Sequence, residues 1–377
     1  MQIAQVCPYD YSRPGGVKSH IDNLVQRLQH KGHEVKVIAP DINSEKISSD
    51  NANLFGKSRS LNFWGGTQID INIALGEEIY KLQKFLSEHQ FDIIHYHTIW
   101  NPLLAMQVRY YSKSKNVATF HDTPADSFMG KKVAGGVLMP IAAGILSKYL
   151  DGIISVSQSQ SKYIRKFIKK DISIIPNGIN LDVFDPQHAP LKEFDDGKFN
   201  LLFLGRLEPR KGIMYALEVY KRLRHKYSDI RLIISGDGDE RTSAQNFVKD
   251  NHLDDVVFLG FIDEKIKANL FNTADVYVAP AIYGESFGIV LLEAMASGTA
   301  VAGFGNEGYL NVIKEPWRAY FPKPKDTDSL YAAIEKLYLN HEARESMVKW
   351  GLNEVQNYSW NVITDHIEEV YNRVIKA

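Results

Sequence analysis

Val276-Tyr277-Val278-Ala279 is followed by Gly284-Glu285-Ser286-Phe287-Gly288-Ile289-Val290-Leu291-Leu292-Glu293-Ala294-Met295-Ala296-Ser297-Gly298 and then by Ala300-Val301-Ala302-Gly303. The three stretches read as strand, glycine-marked loop with helix, and strand. Two parallel strands cannot be joined by a tight turn, so a helix between short β-rich runs signals a crossover. The same alternation extends outward in both directions. Asn200–Leu204, Arg231–Ser235 and Val256–Leu259 are further strands upstream, each followed by a helical pattern. The expected fold class is therefore α/β with parallel sheets.

Nearer the N-terminus, Ile3–Cys7, Val35–Ala39, Asp92–Tyr96, Val117–Phe120, Gly152–Val156 and Ile172–Ile175 form a second series of strands. Val17, His20, Ile21, Leu24, Val25 and Leu28 recur at helical spacing, with Gly32 suited to close that helix. The stretch Asp41 to Asp70 is polar and poorly periodic, and is expected to hold loops plus one short strand. Turn residues crowd Asp182 to Gly197, including Pro186 and Pro190. The expected domains are residues 1–180 and 197–359, two Rossmann-like halves facing a cleft. The amphipathic segment 360–377, with Trp360, Ile363, Ile367, Val370, Tyr371 and Val374 on one face, is expected to pack back on the first half.

A length of 377 residues suits two domains, and 24% charged with 44% hydrophobic residues is ordinary for a globular protein. A net charge of −1 gives no overall attraction to nucleic acid or anionic lipid. The single cysteine, Cys7, allows no internal disulfide, fits a reducing cytoplasm and reads as a buried core thiol. The apolar run Val133 to Leu146 has Gly135, Gly136 and Pro140 within it and is shorter than the roughly twenty residues a bilayer needs. A cytoplasmic protein, with at most peripheral contact at the inner face of the membrane, is expected.

Glu285 and Glu293 stand eight residues apart around an apolar helical run. With a helix beginning near Phe287, its first N–H groups and positive dipole end form an anion site. Eight residues at about 1.5 Å each would put the carboxylates roughly 12 Å apart along the axis. That spans a diphosphate with a hydroxyl-bearing ring at each end, and carboxylates accept from hydroxyls. Gly205-Arg206-Leu207-Glu208-Pro209-Arg210-Lys211-Gly212 also follows a strand, so Arg206 and Lys211 are candidates for phosphate contact, with Arg210 expected to face water. Pro14-Gly15-Gly16-Val17 reads two ways: a tight strand-to-helix turn, or a place where the backbone approaches a phosphate. His121, after Val117–Phe120, is placed to donate to a sugar hydroxyl or move a proton. His95 and His97 share one strand face without an evident third ligand and read as structural. Asp237-Gly238-Asp239 reads as a turn, so no metal residue is assigned.

Together these residues resemble the GT-B glycosyltransferases of family 4, a retaining group, over nearly the whole chain. The segment from Glu285 to Glu293, Gly205-Arg206 with Lys211, and Ile175-Pro176-Asn177-Gly178 carry the resemblance. Cys7-Pro8-Tyr9 through Val17, with Ala118-Thr119-Phe120-His121, look most like the phosphatidylinositol mannosyltransferase branch. The resemblance implies catalytic roles for His121, Arg206, Lys211 and Glu285. It implies donor binding by Gly16, Ile262, Glu264, Lys267, Ser286, Phe287, Gly288, Ile289 and Glu293, with Ile262, Glu264 and Lys267 at the base. Tyr9 and Asp122 are candidate acceptor contacts. The donor implied is GDP-mannose, with a UDP-sugar second, and a divalent metal is compatible but not required. The acceptor is a hydroxyl on a glycolipid, lipid-linked glycan or polysaccharide precursor; no nucleic-acid partner is expected. The segment matching the branch's lipid-docking helix, Glu77 to Phe85, carries two lysines and two glutamates instead of a basic cluster, so any membrane contact is expected to be weak. A nucleotide-sugar epimerase of the same fold and a non-catalytic nucleotide-sugar-binding module are the rival readings.

Overall fold

A computed structural model describes residues 1–9, 11, 15–41, 52–63, 67–98, 102–121, 144, 145, 147–166, 168–285 and 287–377. Asp122, Ser286, the Thr123–Lys132 stretch and nearly all of the Val133–Leu146 run lie outside the described residues, as does the side chain of Glu264. The chain divides into two compact units, Met1–Gly178 with Trp360–Ala377, and Ile179–Ser359.

The first unit is built on a sheet of order β4-β3-β2-β1-β5-β6-β7-β8. Its strands are β1 (Gln2–Val6), β2 (Glu34–Asp41), β3 (Ala52–Phe63), β4 (Thr67–Ile73), β5 (Ile93–His97), β6 (Lys115–Phe120), β7 (Gly152–Ser155) and β8 (Ser173–Ile174). All pairings are parallel except β3 with β4. Helix α1 (Gly16–His30) buries His20, Ile21, Leu24, Val25 and Leu28, and ends at Gly32, whose φ of 85° suits the left-handed closing position. Helices α2 (Glu77–Glu88) and α3 (Pro102–Tyr111) follow β4 and β5.

The Asp41–Asp70 stretch holds the twelve-residue β3 and the start of β4, which pair antiparallel from Lys57↔Ile73 to Phe63↔Thr67, rather than loops and a short strand. An outer ladder satisfies its backbone through pairing, so polar side chains do not prevent it. The alternation Ile69, Ile71, Ile73 was the available signal.

The second unit has a five-stranded parallel sheet of order β11-β10-β9-β12-β13. The strands are β9 (Phe199–Leu204), β10 (Ile230–Ser235), β11 (Val256–Gly260), β12 (Val276–Ala279) and β13 (Ala300–Gly303). All are largely apolar, as strands covered by helices on both faces must be. Phe184 and Phe194, from the proline-containing stretch before β9, belong to this unit's core.

The C-terminal helix Trp360–Lys376 packs on the first unit. Its Trp360, Ile363, Ile367, Val370, Tyr371 and Val374 are buried with Ile3, Val117 and Ile154 of the sheet. Trp360 also sets the residue type at position 178: a Cβ on Gly178 would come within 2.4 Å of the indole ring. Gly178→Ala is therefore expected to cost about 1–3 kcal/mol, as overpacked cores do. Denaturant unfolding checks it, and a wild-type midpoint would refute the contact.

Candidate functional site

Ligands of open parallel sheets bind beyond the carboxyl ends of the strands, where the strand order reverses. In the second unit that point lies between β9 and β12, the two strands whose connections leave in opposite directions. The loop after β9 carries Arg206 to Lys211, and the loop after β12 carries Glu285. The fold brings them together. Lys211 Nζ lies 2.6 Å from Glu285 Oε1, and Arg210 Nη1 lies 3.1 Å from the same oxygen. Arg210 also pairs with Glu208 at 2.9 Å and donates to the Gly284 carbonyl at 3.3 Å. Arg206 pairs with the other Glu208 oxygen at 2.6 Å and is 68% exposed.

The expectation that Arg210 faces water is thus overturned: it is 23% exposed and bridges two carboxylates, while Arg206 is the solvent-facing cation. Glu208 was likewise passed over, although an acid between Arg206 and Arg210 was a visible cue. Gly212 makes the approach of the loops feasible. Its φ is 77°, and a Cβ there would fall 2.1 Å from the Pro280 carbonyl oxygen. The phenols of Tyr277 and Tyr309 are held well above their ordinary pKa, first by burial and then by the Glu285 charge, and so stay protonated.

The helix after Glu285 begins at Ile289, not near Phe287, because Gly288 takes a left-handed φ of 91° as its N-cap. Only Ile289 to Ala296 is helical. The uninterrupted rise drawn between the two glutamates is therefore corrected: Glu285 belongs to a loop and Glu293 to the helix. Glu293 is buried and lies 2.5 Å from Lys267 Nζ, which comes from the helix Glu264–Thr273. Phe287 is buried against Tyr358, and Ile262 packs on the core of this unit. Phe261 beside it is 81% exposed. Asp237 accepts from the Gly238 N–H and pairs with Arg241 at 2.9 Å, which fits its reading as a turn residue.

In the first unit the corresponding point lies between β1 and β5. Gly15 is extended, with φ 178°, and a Cβ at Gly15 or Gly16 would meet nothing within 4 Å. The turn itself does not demand glycine here. Nearby, Cys7 is buried with its Sγ 3.5 Å from the Tyr9 carbonyl.

His95 and His97 do share a face, with ring centroids 4.3 Å apart, and both are buried. His97 Nδ1 lies 2.9 Å from His121 Nε2, and His20, from the apolar face of α1, sits edge-on to His121 at 4.5 Å. A third imidazole thus joins His97 and His121, and nitrogens of His20, His97 and His121 lie within 4.8 Å of one another. That trio was not visible from the spacing of His95 and His97. His20 Nδ1 is 3.2 Å from Asn177 Oδ1. Burial pushes His20 down to about 4 and His95 to about 3, and also holds His97 and His121 well below the ordinary value.

Comparison with known proteins now gives the family. Residues 14–183 match the model described as Glycosyltransferase Family 4, and residues 185–353 that of Glycosyl transferases group 1. The chain is 33% identical to the phosphatidyl-myo-inositol mannosyltransferase of Mycolicibacterium smegmatis, over all of this chain and 95% of that protein. The chain belongs to the family 4 glycosyltransferases. A second glycosyltransferase of the same printed name, from Propionibacterium freudenreichii, is 28% identical over 98% of this chain and 94% of its own. The structure of Anabaena HepE in complex with UDP superposes with a TM-score of 0.80 at 16% identity, covering 99% of this chain and all of that one. Sucrose-phosphate synthase of Thermosynechococcus elongatus gives 0.77 at 20%, covering all of this chain and 99% of that one. This glycosyltransferase therefore has the two-domain GT-B fold. Among the described residues, no helix is long and apolar enough to cross a membrane.

Two expected outcomes follow from the first unit. Gly16→Ala should fold at least as stably as the parent, because alanine is favoured over glycine in a helix by up to about 1 kcal/mol, yet should lose transferase activity. A stable and fully active variant would return Gly16 to the turn reading. The neutral histidines set a pH dependence. Their folded values lie below the unfolded value of about 6.5, so their contribution is present above that pH and lost as pH falls toward 4. Melting temperature should drop across that window with net proton uptake on unfolding; a flat profile would contradict it.

Proposed function

We propose that this glycosyltransferase moves mannose from GDP-mannose to a hydroxyl of a glycolipid, retaining the anomeric configuration. The observation that carries the reading is the convergence of Lys211 and Arg210 on Glu285, just before the left-handed Gly288 and the helix it opens. A departing nucleoside diphosphate gathers negative charge, and cations held in place stabilise it without reorganising. Mannose and the glycolipid acceptor rest on the names of the full-length relatives.

Arg206, exposed and paired with Glu208, and Lys211 are assigned to the diphosphate, together with Ser286 and the amides of Phe287, Gly288 and Ile289. When the donor takes Lys211, Glu285 is released to accept from sugar hydroxyls. Glu293, paired with Lys267, is assigned to the ribose, and Ile262 and Glu264 to the base. In the first unit, Gly16 is assigned to the diphosphate, His121 to the donor sugar, and Tyr9 and Asp122 to the acceptor. Retention follows if the acceptor attacks from the face the diphosphate leaves, with the leaving phosphate oxygen taking the acceptor proton. No carboxylate is assigned as a covalent nucleophile, and no step is routed through a metal.

Peripheral membrane contact through α2 is proposed to be weak. Leu75 and Tyr80 are 65% and 67% exposed there, but Lys81 pairs with Glu78 at 3.0 Å and Lys84 with Glu88 at 3.8 Å. Each lysine's attraction to anionic lipid, about 1 kcal/mol, is thereby largely offset.

Arg206→Ala should lower kcat about 100-fold, the usual loss for one transition-state charge contact. Near-normal turnover by a folded variant would remove its assignment to the leaving group. A melting-temperature screen should show GDP stabilising the protein more than UDP at equal concentration, by mass action. The reverse order would replace guanosine with uridine as the donor nucleoside.

A further inference from the structure

A single hydrogen-bonded line of buried polar side chains runs through the first unit to His121, and Gln5 of β1 stands in the middle of it. Gln5 Oε1 accepts from His97 Nε2 at 2.8 Å, while its Nε2 donates to the Tyr371 hydroxyl at 3.2 Å. Tyr371 in turn donates to His95 Nδ1 at 2.6 Å, which leaves His95 Nε2 to donate to Thr119 Oγ1 at 2.7 Å. A neutral imidazole has one donor and one acceptor nitrogen. Since His97 donates from Nε2 to Gln5, its Nδ1 must accept. The partner at that nitrogen is His121 Nε2, 2.9 Å away, so Nε2 of His121 carries the hydrogen. His121 also has a side-chain hydrogen bond with Asn177, and with Nε2 protonated its Nδ1 bears the lone pair.

We propose that Gln5 and His97 are positioning residues that hold His121 as the Nε2–H tautomer, so that Nδ1 accepts a hydrogen bond from a hydroxyl of the donor sugar. The inference rests on the assignment of His121 to the donor sugar made above. Burial keeps these imidazoles neutral, so each has a tautomer to choose. The amide of Gln5 makes that choice for all of them. Turned by 180°, it would donate to His97 Nε2, force the hydrogen onto His97 Nδ1, and leave His121 Nε2 as the acceptor. The sequence leaves His121 to donate to a sugar hydroxyl or to move a proton; in the tautomer proposed here its Nδ1 accepts. It also explains why a glutamine and a tyrosine sit fully buried between apolar neighbours on β1 and the C-terminal helix.

The test is long-range ¹H–¹⁵N NMR of the histidine rings in the ligand-free full chain, with His121 assigned by its loss in His121→Asn. His121 is expected to be protonated at Nε2 and bare at Nδ1. In Gln5→Leu, both tautomers should appear at His121, and kcat with GDP-mannose should fall in proportion to the Nε2–H fraction lost. His97→Asn, whose Oδ1 stands close to the place of Nδ1, should keep the Nε2–H form. A wild-type His121 protonated at Nδ1, or a tautomer unmoved in Gln5→Leu, overturns the proposal. Should Gln5→Leu not fold, the wild-type spectrum and His97→Asn decide. The expected spectrum in a protein that transfers from no nucleotide-sugar overturns the transferase reading instead of the tautomer assignment.

Discussion

Parallel strands cannot be joined edge to edge by a tight turn, and everything else in this chain depends on that constraint. Each strand must hand over to a crossover element that returns along a face of the sheet, so strands are buried on both sides and helices on one. It also forces the loops at the carboxyl ends to part where the strand order reverses. In the second unit that place lies between β9 and β12, and in the first between β1 and β5. The groups with chemistry to offer gather at those two places: Arg206 to Lys211 with Glu285 in one, Gly16 with the imidazoles in the other.

Both places pair their buried charges or shed them within the chain. Glu285 is 12% exposed and holds Lys211 and Arg210; Glu293 is 8% exposed and holds Lys267. A carboxylate so far removed from water needs a cation beside it. In the proposed function the Lys211–Glu285 pair would serve a donor by exchange, a diphosphate becoming the partner of the lysine and a sugar hydroxyl that of the carboxylate. The histidine group of the first unit meets the same demand differently. Burial keeps it neutral, and His95 and His97 place their nitrogens on Gln5, Tyr371, Thr119 and His121.

Much of the fold was legible in the residues. The apolar runs from Phe199 to Gly303 marked the second sheet almost residue for residue, because buried parallel strands have no polar face to blur them. Gly32 announced the end of α1. The extent of the β3–β4 ladder was missed because polar residues interrupt β3 and the clear alternation is confined to Ile69, Ile71 and Ile73. The onset of the helix after Glu285 was misplaced by two residues, since Gly288 looked like part of an apolar run and its left-handed turn has no mark beyond being glycine. Arg210 was read as a surface cation because loop charges usually are; its burial depends on Glu285, seventy-five residues away.

The sequence by itself determined the fold class, the two series of strands, the family and the residue types offered to a phosphate in the proposed function, since these follow from local periodicity and short motifs. Only the tertiary structure decided which acid meets which base and which nitrogen of each histidine carries a hydrogen. Those are properties of pairs: Gln5 and His97 are far apart along the chain, as are His95 and Tyr371, and a donor finds its acceptor only after the strands and helices between them have packed.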